Sequence, residues 1–118
     1  MPPKICEFIC DIVKEPVIGT LMYKTVRGKV TQIGKLLKKD ENWDLRATIT
    51  DGTASLEIMF TSQVLEGLIG FTVPQFLEKR KLRKTNPGVE EYLRGGFRNA
   101  EIKVQRMDAL MELELSAK

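Results

Sequence analysis

Two runs of alternating apolar and polar residues, joined by Asp51-Gly52, limit the possible folds more than any other feature of the sequence. Every second residue is apolar from Trp43 to Ile49 and from Ala54 to Phe60, as in strands that face a core on one side and water on the other. An Asp-Gly pair between two such runs is typical of a β-hairpin turn. The pattern predicts a hairpin with these side chains on its core face: Trp43, Leu45, Ala47, Ile49, Leu56, Ile58 and Phe60.

A further strand is predicted before the hairpin, over about residues 21–37, where Val, Thr, Ile and Tyr are frequent. Gly28 inside this strand indicates a bend or a close approach of another chain segment. The polar run 38–42 is typical of a loop or the end of a hairpin. Residues 21–60 are therefore predicted to form a three-stranded meander.

Helices are predicted on both sides of the meander. Residues 1–16 are predicted to hold an N-terminal amphipathic helix from Lys4 to Lys14, ended by Pro16. Its apolar stripe consists of Ile5, Phe8, Ile9, Ile12 and Val13. Residues 62–100 are predicted to form a helical insert that contains three helices.

Capping and helix-breaking residues divide the insert. Ser62 is expected to cap its first helix and Gly70 to end it. Pro74 is expected in the first turn of the second helix, which runs to about Lys84. The third helix carries apolar residues at helical spacing from Val89 onwards.

Residues 101–118 allow two interpretations. In the first, the third helix continues to about Met107 and is followed by one strand. In the second, the segment forms a hairpin of about residues 101–106 and 109–116, and periodicity does not distinguish the two. In either case the order of helix, three strands, helical insert and one or two strands is that of an OB-fold-type barrel. We therefore expect one domain over residues 1–118, mainly β with helices.

The absence of histidine excludes several kinds of chemistry. Without His the chain has no imidazole base for a serine or cysteine nucleophile and no His ligand for zinc. Its two cysteines, Cys6 and Cys10, cannot complete a structural zinc site alone. The carboxylates Asp40, Glu41 and Asp44 are expected in a solvated loop. We expect no catalysis, metal or cofactor, and no membrane span, since the longest uncharged run, residues 67–77, is too short.

Two segments carry a resemblance to a known family. Ile49-Thr50-Asp51-Gly52-Thr53-Ala54, with Trp43 ahead of it, and Leu68-Ile69-Gly70-Phe71-Thr72-Val73-Pro74 resemble the C-terminal OB-fold domain of the RecQ-mediated genome instability protein 1 family. The likeness runs from about Val26 to Pro74 and continues more loosely to residues 108–115. Because the family's domain continues past the strand that matches residues 109–115, the resemblance also implies that the chain is a fragment of a longer protein.

The resemblance implies a function and partners. It implies a non-enzymatic scaffold in the nucleus, within a complex of topoisomerase III alpha and a Bloom-type RecQ helicase that dissolves double Holliday junctions. A second, smaller OB-fold subunit and the Fanconi anaemia M translocase are the other partners that it implies.

Two groups of residues are candidates for binding. An apolar connecting segment indicates either a protein-binding surface or a plug beneath the barrel, and it contains Leu68, Ile69, Phe71, Val73 and Phe76. A basic run indicates either phosphate contacts or a solvated helix end, and it contains Lys79, Arg80, Lys81, Arg83 and Lys84.

The alternative function is binding of single-stranded nucleic acid, which OB domains achieve by stacking bases on exposed aromatic rings. The outer face of the predicted hairpin has no aromatic residue, and its members are Asp44, Arg46, Thr48, Ser55, Glu57 and Met59. Direct nucleic-acid binding is therefore expected to be weak or absent, and protein interaction is favoured.

Overall fold

The computed structural model describes residues 6–14 and 21–116 of the chain. These residues form four helices and five strands. In chain order they are α1 (Ile9–Lys14), β1 (Leu21–Ile33), β2 (Leu37–Lys39), β3 (Asn42–Thr50), β4 (Ser55–Phe60), α2 (Ser62–Ile69), α3 (Val73–Lys81), α4 (Pro87–Gln105) and β5 (Asp108–Ser116).

The strands form one antiparallel sheet in the order β2-β3-β1-β5, and β4 pairs with β3 as well. The end of β1 pairs with β3, from Lys29 opposite Thr50 to Ile33 opposite Ala47. The earlier part of β1 pairs with β5, from Leu21 opposite Ser116 to Lys29 opposite Asp108. Within the described residues β4 and β5 each have a strand partner on one side, so the sheet does not close into a barrel.

The β3–β4 hairpin has the predicted faces. Leu45 lies opposite Phe60, and Ile49 lies opposite Leu56, so these apolar side chains share a face. The β3 members of this face are buried, whereas those of β4 are half-buried and pack against the same core. The three-stranded meander is present, and β2 adds a short pairing at its end, where the hairpin turn contains Asp40 with φ 54°.

Gly28 allows the close approach that the sequence indicates. A Cβ atom placed on Gly28 would lie 2.8 Å from the sulfur of Met111 in β5 and 3.1 Å from Cδ1 of Ile49 in β3. The first distance is shorter than real Cβ atoms show and the second is tight, so the absence of a side chain at Gly28 gives room to the side chains of Met111 and Ile49 over the middle of β1.

Caps define the helices of the insert. Thr61, rather than Ser62, caps α2 through its side chain, and Gly70 ends the helix in the left-handed conformation with φ 100°. Thr72 and Gln75 form a capping box at the start of α3, with proline in its first turn as predicted. The second helix ends at Lys81 rather than near Lys84, and turns follow it.

The last segment is a helix followed by a single strand, so the hairpin interpretation of residues 101–116 is wrong. α4 continues to Gln105, beyond the expected end of the insert at residue 100. Val104 is buried on the same side of α4 as Leu93 and Ala100, which are eleven and four residues earlier at helical spacing. The alternation of Ile102 and Val104 therefore marks one helical turn and not a strand.

The N-terminal helix is shorter than the predicted one, since α1 begins at Ile9. Ile9 and Ile12 are buried, whereas Phe8 and Val13 of the predicted stripe are exposed. Before the helix, the backbone N–H of Glu7 donates to the carbonyl of Thr25 in β1 at 2.8 Å. The predicted positions of Ile5 and Pro16 lie outside the described residues.

Candidate interaction surface

Trp43 joins the sheet to the helical insert. Its backbone N–H donates to Oγ of Ser62 at 3.1 Å, which explains why Ser62 does not cap α2. Its indole Nε1–H donates to the carbonyl of Phe71 at 3.1 Å, in the connection between α2 and α3. Ser62 and Phe71 are both far from Trp43 in sequence, so the backbone and the side chain of Trp43 together hold the insert against β3.

Four more aromatic rings extend from Trp43 towards the surface. The rings of Phe71, Phe76 and Phe97 lie 6.2, 5.6 and 5.4 Å from that of Trp43, centroid to centroid. Tyr92 in α4 lies 5.8 Å from Phe71 and is 53% exposed. These five residues are called the aromatic cluster below, and Tyr92 is its outermost member.

The residues predicted to bind a protein are mostly in the core. Ile69, Phe71 and Val73 are buried within the chain, so their side chains have no free surface to offer a partner. Leu68 and Phe76 are half-buried. The segment is therefore largely the plug of the alternative interpretation, because Trp43, Leu65 and the α4 side chains need this apolar surface to complete the core.

The predicted basic residues lie at the rim of the aromatic cluster. The Nζ atom of Lys79 lies 5.0 Å from the centroid of Tyr92, and the guanidinium carbon of Arg80 lies 5.4 Å from that of Phe76. Lys81 pairs instead with Glu78 at 3.8 Å. Arg83 and Lys84 are exposed in the turn after α3.

Lys79, Arg80, Arg83 and Lys84 are called the cationic corner below. No ion pair joins any of the four to a carboxylate of residues 6–14 or 21–116. The sequence did not indicate that Tyr92 contacts this corner. Its helical spacing in α4 marked it as apolar, but only the packing of α4 on α3 brings it to Lys79.

The outer face of the β3–β4 hairpin has no aromatic side chain. Arg46 and Glu57 form a long ion pair of 3.9 Å across it, and Met59 is 63% exposed. Asp44 is not solvated as expected: it is only 7% exposed, and its Oδ2 lies 3.4 Å from Nζ of Lys39. Pairing of β2 with β3 places Lys39 beside Asp44.

Asp51, in the β3–β4 turn, has a lowered pKa. Hydrogen bonds from the Thr53 hydroxyl and from the backbone N–H groups of Ile9, Thr53 and Ala54 lower the pKa of Asp51 from 3.8 to about 2, although burial acts in the opposite direction. The carboxylate is saturated by donors from its own chain. Its role is therefore to hold the turn and α1, and it does not resemble a general base, which needs a raised pKa.

The described residues contain neither a cluster of metal ligands nor a helix that could span a membrane. Within ranges 6–14 and 21–116, no three side chains of Cys, Asp or Glu gather as a group that could hold a metal ion. Cys6 and Cys10 are free and half-buried. None of the helices described is long and apolar enough to cross a membrane.

Comparison with known proteins adds an evolutionary relationship. The family model described as Recq-mediated genome instability protein 1, C-terminal OB-fold, matches residues 7–118. The RecQ-mediated genome instability protein 1 of Gallus gallus is 33% identical over 87 residues, which are 74% of this chain. That of Xenopus laevis is 38% identical over 78 residues, or 66% of this chain. The matched part is 13% of the length of each of these two relatives.

Proposed function

The chain belongs to the family of the C-terminal OB-fold of RecQ-mediated genome instability protein 1, and from this membership we propose that it is a non-catalytic protein–protein interaction module. Its role in genome stability is that of a scaffold in a complex of a RecQ helicase and a topoisomerase III that dissolves double Holliday junctions in the nucleus. The observation that carries this proposal is the family match over nearly the whole chain.

The proposed direct partner is a second, smaller OB-fold subunit of the same complex. The topoisomerase III alpha and the Bloom-type RecQ helicase are reached through the full assembly, and the Fanconi anaemia M translocase is a further partner. Support comes from the names of the relatives, each of which is called RecQ-mediated genome instability protein 1.

Two features of the site support a non-catalytic role. The strongly perturbed carboxylate, Asp51, serves as a structural acceptor for four donors of its own chain. The aromatic cluster is closed at its centre by the buried Trp43 and Phe71. Neither arrangement offers a group poised for proton transfer or nucleophilic attack.

The alternative function, binding of single strands on the sheet, has less support. Base stacking on strands requires exposed rings, whereas the outer face of the β3–β4 hairpin carries a charged pair and Met59. Trp43 lies on the core side of β3, 5% exposed. Protein interaction is therefore the better use of this sheet.

The test is a titration of the 118-residue chain with the purified small OB-fold subunit. A ligand that binds only the folded state stabilises it by about 2.7 kcal/mol at one hundred times its dissociation constant, so Tm should rise by several degrees and depend on subunit concentration. An unrelated OB-fold protein of similar size is the control. Equal melting temperatures with and without a large excess of the subunit would contradict the proposed pairing.

A further inference from the structure

We propose that the cationic corner and Tyr92 form a binding site for single-stranded nucleic acid on the helical insert, away from the sheet. In this site the four cations contact backbone phosphates and the exposed part of the Tyr92 ring stacks on a base. The inference rests on the charge, spacing and exposure of these residues and is independent of the protein partners proposed above.

The first observation is that these positive charges are not neutralised within the described chain. Lys81, in the same basic run, has Glu78 at 3.8 Å, and Arg94 has Glu90 at 2.9 Å. The four residues of the cationic corner have no such partner there. Unpaired Lys and Arg side chains are those that can release counterions from a phosphate backbone and gain affinity by doing so.

The second observation is the spacing of the four cations. The N–H of Leu82 donates to the carbonyl of Lys79 at 3.0 Å, and that of Arg83 donates to Arg80 at 3.3 Å. Each of these bonds joins residues three apart, so the chain continues in a turn of 3₁₀ type beyond the last residue of α3. This turn keeps Arg83 and Lys84 close to the end of α3 that carries Lys79 and Arg80, and the four charges concentrate positive potential on one corner.

The third observation is the ring beside the charges. Lys79 lies over Tyr92 at 5.0 Å, and more than half of Tyr92 remains exposed, at 53%. An exposed aromatic ring next to cations is the combination that single-strand sites use, because the cations follow the backbone and the ring accepts any base. The cations alone would be enough to bind an acidic peptide, which has no base to stack on a ring. The exposed ring of Tyr92 beside the cations therefore favours nucleic acid as the ligand.

One carboxylate should oppose binding. Glu91 is exposed, directly precedes Tyr92 in α4, and has no ion-pair partner among the residues described. Its negative charge repels phosphate groups at the corner. Replacement of Glu91 by Gln should therefore strengthen binding.

The experiment is a fluorescence-anisotropy titration of a labelled 16-nucleotide oligo(dT) with the 118-residue chain. We expect micromolar binding at 50 mM salt that weakens about 50-fold at 200 mM salt, as four phosphate contacts on a single strand would give. A parallel titration with oligo(U) decides whether the site takes DNA, RNA or both, and each of these results supports the site. Absence of saturable binding at 50 mM salt to both oligonucleotides overturns the proposal.

Two matched sets of variants locate the binding. Replacing Lys79, Arg80, Arg83 and Lys84 by Gln should weaken binding at least tenfold. The control, with Gln at Lys29, Lys35, Lys38 and Lys103, removes the same charge from other exposed positions and should change the affinity by less than threefold. Thermal melting by circular dichroism shows that both proteins fold. Equal losses in the two sets would mean that net charge alone acts, and the proposal would fail.

The Tyr92 variants separate nucleic acid from other polyanions. Tyr92→Ala should weaken oligo(dT) binding about fivefold or more, whereas Tyr92→Phe keeps the ring and should retain the affinity. A polyglutamate peptide of equal charge is the comparison ligand. If polyglutamate binds as tightly as oligo(dT), and Tyr92→Ala leaves both unchanged, the corner takes acidic protein segments and the nucleic-acid assignment is overturned.

Discussion

The carboxylate of Asp51 accepts a hydrogen bond from the backbone N–H of Ile9 at 2.8 Å, across 42 residues of sequence. Thr53 adds a second contact, since its hydroxyl oxygen accepts the N–H of Cys10 at 3.2 Å while the hydroxyl donates to Asp51 at 2.5 Å. The first N–H groups of a helix have no partner inside it. The β3–β4 turn therefore caps α1 from a distant part of the chain and holds the buried Ile9 in the core.

Asp51→Asn should loosen α1. An amide side chain keeps one acceptor oxygen in place of two, so it cannot satisfy both Ile9 and Thr53. We expect faster hydrogen exchange of the α1 amides in this variant and a lower Tm. The matched control is Asp40→Asn, which removes the same charge from an exposed hairpin turn whose left-handed φ of 54° suits Asn. Unchanged exchange of the α1 amides in Asp51→Asn would show that α1 is held by packing alone.

The same contact gives α1 a dependence on acid. The pKa of Asp51 is lowered from 3.8 to about 2, so the docked state binds its proton less readily than the undocked state. The stabilisation of docked α1 by the Asp51 carboxylate is present above pH 3.8 and is lost as the pH falls through about 2. The chemical shift of the Ile9 amide, followed by NMR between about pH 5 and 2, should report this change.

Other carboxylates also titrate in that range, so the comparison with Asp51→Asn isolates the effect. The variant has no titrating group at this position, and its Ile9 amide should show little pH dependence. If wild type and variant titrate alike, the acid sensitivity of α1 arises from another group.

Local patterns predicted the elements of the sheet better than the contacts between distant elements. The alternation from Trp43 to Phe60 gave both faces of the hairpin, because a strand pattern depends only on neighbouring residues. It could not indicate that Asp51 caps α1, since that hydrogen bond crosses 42 residues. Asp44 has the sequence position of an outward residue, yet it is buried and lies beside Lys39, which the pairing of β2 with β3 brings to it.

The sequence predicted only part of the candidate surface, because the remainder also depends on contacts between distant elements. The basic run was visible in the sequence, but its contacts with Tyr92 and Phe76 depend on how α3 packs on α4. The apolar segment before it was also visible. Periodicity does not distinguish an apolar residue on the surface from one in the core, and the structure places Phe71 and Val73 in the core.

Adjacent glycines in α4 should respond oppositely to alanine. A Cβ on Gly96 would lie 2.7 Å from Cε1 of Phe71 and 2.8 Å from the carbonyl oxygen of Ile69, whereas a Cβ on Gly95 would have no atom within 4 Å. Gly96→Ala should therefore destabilise the fold by about 1–3 kcal/mol through overpacking. Gly95→Ala should stabilise it by roughly 0.5–1 kcal/mol through helix propensity.

Chemical denaturation measures both glycine variants under identical conditions. Because the two residues are neighbours in one helix, a general effect of alanine would shift both in the same direction. A stabilising Gly96→Ala would show that α4 does not pack closely on the end of α2 at this position.

Trp43 should contribute to stability through both its volume and its indole N–H. Trp43→Ala removes a buried ring from the centre of the aromatic cluster and should cost about 3–5 kcal/mol. Trp43→Phe keeps an aromatic ring but leaves the carbonyl of Phe71 without the donor it has at 3.1 Å, which should cost about 1–3 kcal/mol. Urea denaturation of both variants, with Tyr92→Phe as the exposed aromatic control, separates the two contributions. A loss in Trp43→Phe as large as in Trp43→Ala would assign the stability to the hydrogen bond, and near-neutral values for both would place the ring outside the core.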